Sequence, residues 1–183
     1  MWLWIVLGVI VVLLVIWVIA TYNRLVRANV AVDEAFAQIE VQLKRRADLI
    51  PNLVNTVKGY AAHEKGALEA VMKARAAATG AGSMDERIGA EQQLGGALSR
   101  LLAVAEAYPD LKANQNFLQL QGTLGELEGE IAFARTGYNG SAGNFNTQLA
   151  VFPNNVIAGI FRFQPFRFFE AREGEREAPK VRF

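Results

Sequence analysis

An uncharged apolar run at the N-terminus restricts this chain more than any other feature of its sequence. Residues 2–22 include no Asp, Glu, Lys or Arg, and Val, Ile and Leu dominate them. At about 1.5 Å of rise per residue, a helix of this length crosses a hydrocarbon core of roughly 30 Å. Trp2 and Trp4 lie at one end, and Trp17 and Tyr22 lie near the other, as is typical of aromatic rings at a membrane interface. The run therefore predicts a transmembrane anchor over residues 1–22.

A cleaved signal peptide is the competing interpretation of the same run. Val18-Ile19-Ala20 is like a small-residue cleavage site. However, no Lys or Arg precedes the apolar run, and the run exceeds the roughly 7 to 15 residues of a typical signal-peptide core. These two properties favour an anchor that is not cleaved.

The basic residues that follow the run predict its orientation. Arg24 and Arg27 come directly after the span, and Lys44, Arg45 and Arg46 follow further on, whereas the N-terminal side offers only the terminal amine. Lys and Arg are enriched in the cytoplasmic segments that flank membrane spans. We therefore expect a single-pass protein of the inner (plasma) membrane, with its N-terminus outside and its helical domain in the cytoplasm.

Composition limits what the rest of the chain can be. A chain of 183 residues leaves room for one soluble domain after the anchor. The formal net charge of +1 comes from 19 basic and 18 acidic residues, so no strong positive field exists to hold nucleic acid. The chain has no cysteine, and His63 is its one histidine. The lack of cysteine excludes disulfides and thiolate nucleophiles. With a single histidine, most hydrolytic mechanisms also lack a general base.

Beyond the anchor, apolar side chains recur once per helical turn. The first stripe consists of Leu25, Ala28, Val32, Ala35, Ile39 and Leu43. No Gly or Pro interrupts it, so the membrane helix is predicted to run straight into the domain. Pro51 must then either kink this helix or begin a new one, because proline lacks the backbone N–H and crowds the preceding turn.

Three further stripes predict the helices of an antiparallel bundle. The first runs through Leu53, Val57, Tyr60, Leu68, Val71 and Ala74 to about Ala78, and the second consists of Leu94, Leu98, Leu101, Ala105 and Tyr108. After a break at residues 79–82, Ser83 and Glu86 fit a capping box at the start of the next helix. The most regular stripe alternates steps of three and four and consists of Phe117, Leu120, Leu124, Leu127, Ile131, Ala134 and Tyr138. Such seams pack helices at shallow angles in coiled coils and bundles.

The predicted fold class is all-α: an N-terminal transmembrane helix that continues into an antiparallel helical bundle, with a short irregular C-terminal strap. The bundle is assigned to residues 23–152. Tyr138-Asn139-Gly140 is predicted to break the last long helix, residues 145–152 to form a short helix, and Pro153-Asn154-Asn155 to form a turn. Residues 153–183 are assigned to an aromatic segment and a charged tail that begins at Arg172.

No catalytic, cofactor or metal site is predicted, and the chain is not expected to be an enzyme. His63-Glu64 begins a metalloprotease-like pattern, but Ala67 occupies the position of the second histidine. Glu126, Glu128 and Glu130 are interpreted as a solvated face beside the leucine seam rather than as paired carboxylates. A hydrolase is the weaker alternative and would depend on His63 or on these three glutamates.

Two sequence features are candidate interaction sites. The first, which we call the docking corner, consists of Arg45, Arg46, Asp48, Pro51 and Asn52. It either docks a partner or is a helix corner whose arginines pair with nearby acids. The second, which we call the aromatic strap, consists of Phe161, Arg162, Phe163, Phe166, Arg167, Phe168 and Phe169. It either packs on the bundle or contacts lipid headgroups or a neighbouring protomer, because clustered exposed aromatic residues mark interaction sites.

Several blocks of this sequence are similar to the LemA family. The longest are Gln42-Leu43-Lys44-Arg45-Arg46-Ala47-Asp48-Leu49-Ile50-Pro51-Asn52-Leu53-Val54 and Glu106-Ala107-Tyr108-Pro109-Asp110-Leu111-Lys112-Ala113-Asn114, with shorter blocks at 22–26, 57–61, 131–135 and 179–181. The resemblance implies a membrane-anchored antiparallel bundle with an outside N-terminus, and it implies no reaction. Residues 126–130 and 140–143 depart from the usual pattern of the family.

The leading functional hypothesis is a non-enzymatic scaffold or adaptor, which contacts the lipid bilayer and docks partners or copies of itself into a homo-oligomer. The alternative comes from the resemblance, because genes of this family often lie near that of a membrane metalloprotease. It is an accessory subunit or regulator of such a protease in membrane-protein quality control.

Overall fold

The computed structural model describes residues 1–169, and all regular secondary structure in this part of the chain is helical. The helices are α1 (Trp2–Tyr60), α2 (Lys65–Gly80), α3 (Met84–Ala105), α4 (Pro109–Lys112), α5 (Gln115–Ala150) and α6 (Asn154–Ile160). This architecture confirms the predicted all-α fold class. The predicted charged tail from Arg172 lies outside the described residues.

The anchor and the start of the bundle form one helix, α1, of 59 residues. Its N-terminal part is exposed along its length, and by length and composition it is suited to cross a membrane. From Leu25 onward the predicted stripe turns inward: Leu25, Val32, Ile39 and Leu43 are buried. The prediction that the anchor helix continues without a break into the domain is confirmed.

The described helices group into two compact units. The anchor unit consists of Met1–Gln38 and Ala134–Phe168, and the bundle unit is built on Ile39–Phe133. The helices α1 and α5 are long enough that each of them contributes one segment to the anchor unit and another segment to the bundle unit. The two units are described separately below.

In the anchor unit, α1 is antiparallel to the segment that runs through α5 and α6. The ring of Tyr22 lies 4.6 Å from that of Phe161, between centroids, whereas Phe36 lies 5.8 Å from Tyr138. Residues that come later in α1 therefore meet residues that come earlier in α5. A small cluster of Leu25, Ile157 and Ala158 seats α6 against α1.

In the bundle unit, parts of α1 and α5 enclose a core together with α2, α3 and α4. The core residues include Ile50, Leu53, Val57, Leu68, Val71, Leu94, Leu98, Leu101, Leu111, Phe117 and Leu124. The amide of Asn114 donates to the hydroxyl of Tyr60 at 2.9 Å, at the end of α1 and just before α5. The capping box at the start of α3 is present as predicted: Ser83 Oγ accepts from the N–H of Glu86, and the Glu86 carboxylate accepts from the N–H of Ser83.

Pro51 lies inside α1 without ending it. Proline has no N–H to donate to the carbonyl four residues earlier, which here belongs to Ala47. Arg75 of α2 takes that role, because its Nε donates to the Ala47 oxygen at 2.7 Å. The carbonyl that proline leaves without its helical partner is thus satisfied from a neighbouring helix, and the alternative in which Pro51 begins a new helix is excluded.

Arg75→Met is expected to lower the free energy of unfolding by about 1–2 kcal/mol, because it leaves a part-buried carbonyl without a donor. In a Pro51→Ala background the loss is expected to be smaller, since the N–H of alanine can donate to Ala47. Denaturant unfolding of the detergent-solubilised protein, followed by circular dichroism, measures both. Arg100→Met is the matched control at an exposed arginine, and an equal loss in both backgrounds would contradict the proposed role of Arg75.

The second half of α5 differs from the sequence prediction. The break predicted at Tyr138-Asn139-Gly140 is wrong, and so is the separate short helix at residues 145–152, because α5 continues to Ala150. Tyr138, Ala142 and Phe145 follow one another on the buried side of the helix. Burial of this stripe outweighs the poor helix propensity of the intervening glycines. A reversal at residues 61–64, between α1 and α2, was also not predicted.

Candidate functional site

The docking corner divides into exposed and buried side chains. Arg45, Asp48 and Asn52 are exposed on α1, Pro51 is half-buried, and Arg46 is fully buried. The exposed members remain a predicted docking surface. Arg46 instead fits the alternative interpretation, a helix corner whose arginines pair with nearby acids, because its guanidinium is paired with Glu91 and Glu128.

Arg46 links α1 to α3 and α5 within the bundle unit. Its Nη1 lies 2.5 Å from Oε1 of Glu128, and its Nη2 donates to Oε2 of Glu91. Arg46 is 0% exposed and Glu91 is 1% exposed. A charge taken out of water costs several kcal/mol unless an opposite charge and hydrogen bonds replace the water. The carboxylates of Glu91 and Glu128 supply the opposite charge and the hydrogen bonds. These ion pairs therefore fix the register of α1 against α3 and α5.

Glu128 is therefore a correction to the sequence interpretation. Its side chain is only 32% exposed and is paired with Arg46, so it is not part of a solvated face. Glu126 and Glu130 are exposed as predicted. Glu130 lies 3.8 Å from Arg45, and both of these side chains are more than half exposed, so this pair contributes little to stability.

Glu91 was not predicted as a site residue, although its position in the sequence carried a signal. Glu91 stands in the polar series Glu91-Gln92-Gln93, which favours a surface position. It follows the buried Ile88 by three residues and precedes the buried Leu98 by seven, so all three lie on one face of α3. An acid on the apolar face of a helix indicates a buried partner of opposite charge.

A groove in the bundle unit lies beside the docking corner. It has a volume of about 350 Å³ and an apolar floor formed in part by Leu43, Ala47 and Ala78. Its remaining lining residues are Glu40, Lys44, Asp48, Thr79, Arg87 and Glu91. The charged groups alternate in sign, and two ion pairs stand among them: Lys44 with Asp48 at 3.0 Å and Arg87 with Glu40 at 3.8 Å. Such a lining suits a partner side chain that brings both apolar and charged groups.

Arg87 is the least satisfied cation of this groove. Its Nη2 donates to the carbonyl of Ala81 at 3.3 Å, but its buried Nε has no hydrogen-bond partner among the described residues. A buried donor without an acceptor is costly. Arg87 is therefore held in the groove wall by its contacts with Ala81 and Glu40 rather than by a full set of hydrogen bonds.

The aromatic strap up to Phe168 belongs to the anchor unit, where it packs on α5. Phe145 is fully buried, and its ring lies 6.1 Å from that of Phe163 and 5.3 Å from that of Phe166. The Asn146 amide group binds the backbone of Phe166 twice, donating to its carbonyl at 2.8 Å and accepting from its N–H at 2.9 Å. The Tyr138 hydroxyl donates to the carbonyl of Arg167 at 2.7 Å. These contacts hold the strap in place without any regular secondary structure.

The members of the strap differ in exposure. Phe169 is buried, and Phe163 and Phe166 are half-buried, whereas Phe161, Arg162, Arg167 and Phe168 are exposed. Contact with lipid or with a second protomer remains a prediction for the exposed members alone. Sequence analysis missed Asn146, whose side chain is too short and too common in loops to be recognised as a clamp from its position alone.

No cluster of three or more His, Cys, Asp or Glu side chains that could hold a metal ion occurs within residues 1–169. His63 is exposed at the reversal between α1 and α2. Nearby, the Tyr108 hydroxyl donates to the Glu64 carboxylate at 3.1 Å. Desolvation, together with this hydrogen bond and the negative charge of Glu64, raises the pKa of Tyr108 above its ordinary value, so the phenol keeps its proton to a higher pH than a free tyrosine does.

Comparison with known proteins agrees with this architecture. The LemA family model matches residues 35–183. The chain is 30% identical to magnetosome protein MamQ 2 of Paramagnetospirillum magneticum, across 91% of this chain and 72% of that protein, and MamQ 1 of the same organism gives the same values. It is 27% identical to protein LemA of Metamycoplasma hominis, across 84% of this chain and 71% of that protein. The family match covers most of the chain and confirms the resemblance found in the sequence blocks, so the chain belongs to the LemA family.

Proposed function

We propose that this membrane-associated LemA-family protein is a non-enzymatic scaffold or adaptor that docks a partner in the groove beside its docking corner. The observation that carries the proposal is the exposure of Asp48 on the rim of a groove of about 350 Å³, whose lining includes the fixed carboxylate of Glu91. A rigid site of alternating charge on a helical bundle recognises a partner without any chemical step.

Rigidity supports this proposal. The groove is lined by α1, α2 and α3, and the buried Arg46 pair and the Arg75 bond to Ala47 hold these helices in the bundle unit. Binding to a site whose side chains are already fixed loses less conformational entropy than binding to a mobile surface. The partner we expect is a second copy of this chain, which would make the protein a homo-oligomeric scaffold at the membrane.

Affinity purification of the full-length protein from membranes in mild detergent tests the proposal. Asp48→Lys reverses a charge on the rim. It is expected to reduce the amount of untagged protein that is recovered with the tagged protein at least about tenfold, since a like-charge contact costs on the order of a kcal/mol or more. Gln121→Lys adds a charge at an exposed position of α5 that does not line the groove. It is expected to leave recovery unchanged.

The outcomes separate the scaffold from its rival. Recovery of self-copies that depends on Asp48 favours the scaffold. A membrane protease recovered at stoichiometric yield, with the same dependence, favours an accessory subunit of that protease. Recovery that is insensitive to both substitutions, or the absence of any bound protein, would remove the groove as a docking site.

We further propose that the N-terminus lies outside the cell and that the bundle unit lies in the cytoplasm. Arg24 and Arg27 follow the apolar part of α1 within two helical turns, which supports this topology. Protease added to intact spheroplasts is expected to leave the bundle unit undigested, and the same protease is expected to digest it after detergent lysis. Digestion in intact spheroplasts would reverse the topology.

A further inference from the structure

We propose that α6 and the turn before it insert into the headgroup and upper acyl region of an anionic bilayer, beside the anchor helix. The inference rests on the proposed membrane anchoring by α1 and adds a second membrane contact, contributed by the other end of the chain. Three observations within the anchor unit support it: an exposed apolar surface, its position beside the end of the anchor, and arginines without any acidic residue between positions 134 and 168.

The first observation is a series of exposed apolar side chains in the turn after α5, in α6 and directly after it. Its large members are Val151, Phe152, Val156, Ile160 and Phe161. Phe152 is 81% exposed and Ile160 is 66% exposed. From Val156 to Ile160, α6 has no polar side chain on any side. Ile157 and Ala158 are buried against Leu25, so packing on α1 covers one side of α6 and leaves the other side apolar and uncovered.

The second observation is the position of this surface along α1. Val18 and Tyr22 pack on the same cluster as Ile157 and Ala158. Two contacts fix the level of α6: the ring of Tyr22 lies 4.6 Å from that of Phe161, and Nη2 of Arg24 donates to Oδ1 of the buried Asn154 at 2.6 Å. Residues 18–24 are the end of the anchor, where aromatic and basic residues meet the interface. The membrane interface that surrounds this end of the anchor therefore also surrounds α6.

The third observation is charge. Residues 1–32 and 131–169 contain no Asp or Glu. Apart from Asp33 and Glu34, every charged side chain of the anchor unit belongs to an arginine: Arg24, Arg27, Arg135, Arg162 and Arg167. Arg162, two residues after the end of α6, has a positive φ of 57° and is exposed. Exposed apolar side chains flanked by arginines without acids are typical of segments that lie in an anionic membrane surface.

The distribution of arginines disfavours a second copy of the chain as the occupant of this surface. A two-fold interface would bring the same surface of two protomers together. The exposed Arg162 and Arg167 would then face arginines, with no acid of the same unit between residues 131 and 168 to neutralise them. Lipid phosphates provide that neutralisation, and the acyl region accepts Phe152 and Ile160.

Site-directed spin labelling tests this insertion directly, because the chain has no cysteine of its own. Single substitutions Phe152→Cys and Ile160→Cys place a nitroxide on the proposed membrane contact of the full-length protein. Phe133→Cys is the matched control, since Phe133 is a phenylalanine of the bundle unit that is 84% exposed. Val12→Cys, in the middle of the apolar run, reports on the anchor itself. The proteins are reconstituted in vesicles of phosphatidylcholine and phosphatidylglycerol.

Collisions with oxygen, which concentrates in the acyl region, are compared with collisions with a water-soluble nickel chelate. Labels at 152 and 160 are expected to shift toward oxygen, as the label at 12 does, whereas the label at 133 stays accessible to nickel. If the labels at positions 152 and 160 behave like the label at 133 while the label at 12 remains in lipid, the insertion of α6 is overturned and the membrane anchoring by α1 is retained. If 12 is also accessible to nickel, the anchoring itself fails. Spin–spin broadening at 152 that disappears on dilution with unlabelled protein would assign this surface to a second copy and would likewise overturn the proposal.

Discussion

Arg46→Ala is expected to lower the free energy of unfolding of the bundle unit by about 3–5 kcal/mol, because it removes the counter-charge of a buried carboxylate. Glu91 is 1% exposed and would be left without its partner, and Glu128 would lose its 2.5 Å contact. Denaturant unfolding in detergent, followed by the helical circular dichroism signal, measures the loss.

The control is the neighbouring arginine. The Arg45 side chain is 61% exposed and lies 3.8 Å from Glu130, so Arg45→Ala is expected to cost less than about 1 kcal/mol. Removing the charges together, with Arg46→Met, Glu91→Leu and Glu128→Gln, is expected to recover most of the stability that Arg46→Ala loses, since no buried charge is then left unpaired. Equal, small effects of Arg45→Ala and Arg46→Ala would show that Arg46 is not held between buried acids in solution.

The features of this fold that could be predicted from the sequence are those that depend only on residues close together in the chain. Leu25, Val32, Ile39 and Leu43 follow the helical period, and burial of that stripe needs nothing further along the chain. Ser83 and Glu86 are three residues apart and satisfy each other at a helix start, so their capping box is also a local property. Local rules of this kind were sufficient for the all-α class and for the continuity of the anchor with the bundle.

The features that the sequence did not predict depend on partners far apart in the chain. Arg46 is separated from Glu128 by 82 positions, and nothing in either neighbourhood identifies the other residue. The Arg75 bond that lets α1 continue past Pro51 spans 28 positions. The continuation of α5 through residues 138–145 depends on tertiary packing of Tyr138 and Phe145, which overrides the local signal of the glycines.

The division of the docking corner follows from the same contrast. Arg45 and Arg46 are adjacent and chemically identical, but successive residues of a helix point about 100° apart. One side chain therefore reaches the solvent and the other enters the bundle. A predicted docking surface that includes both arginines is thus reduced to its exposed side chains, and a stabilising ion pair accounts for the other.

Phe145→Ala is the second substitution with a large expected effect, and it acts on the anchor unit. The ring is fully buried between α5 and the strap, so its loss is expected to cost about 3–5 kcal/mol. Because Phe163 and Phe166 both pack on this ring, the strap is expected to loosen first. Hydrogen–deuterium exchange, read by mass spectrometry on peptides that include residues 161–168, measures that loosening at residues such as Phe166, whose N–H is bonded to Asn146.

Phe152→Ala is the matched control, because it removes the same side chain from a position that is 81% exposed. In detergent it is expected to change stability by less than about 0.5 kcal/mol and to leave exchange in the strap unchanged. Phe163 also packs on the cluster that seats α6, so Phe145→Ala should raise exchange in α6 as well. Unchanged protection of residues 161–168 in Phe145→Ala would mean that Asn146 and Tyr138 hold the strap without the aromatic core, and α6 would then keep its position beside the anchor independently of Phe145.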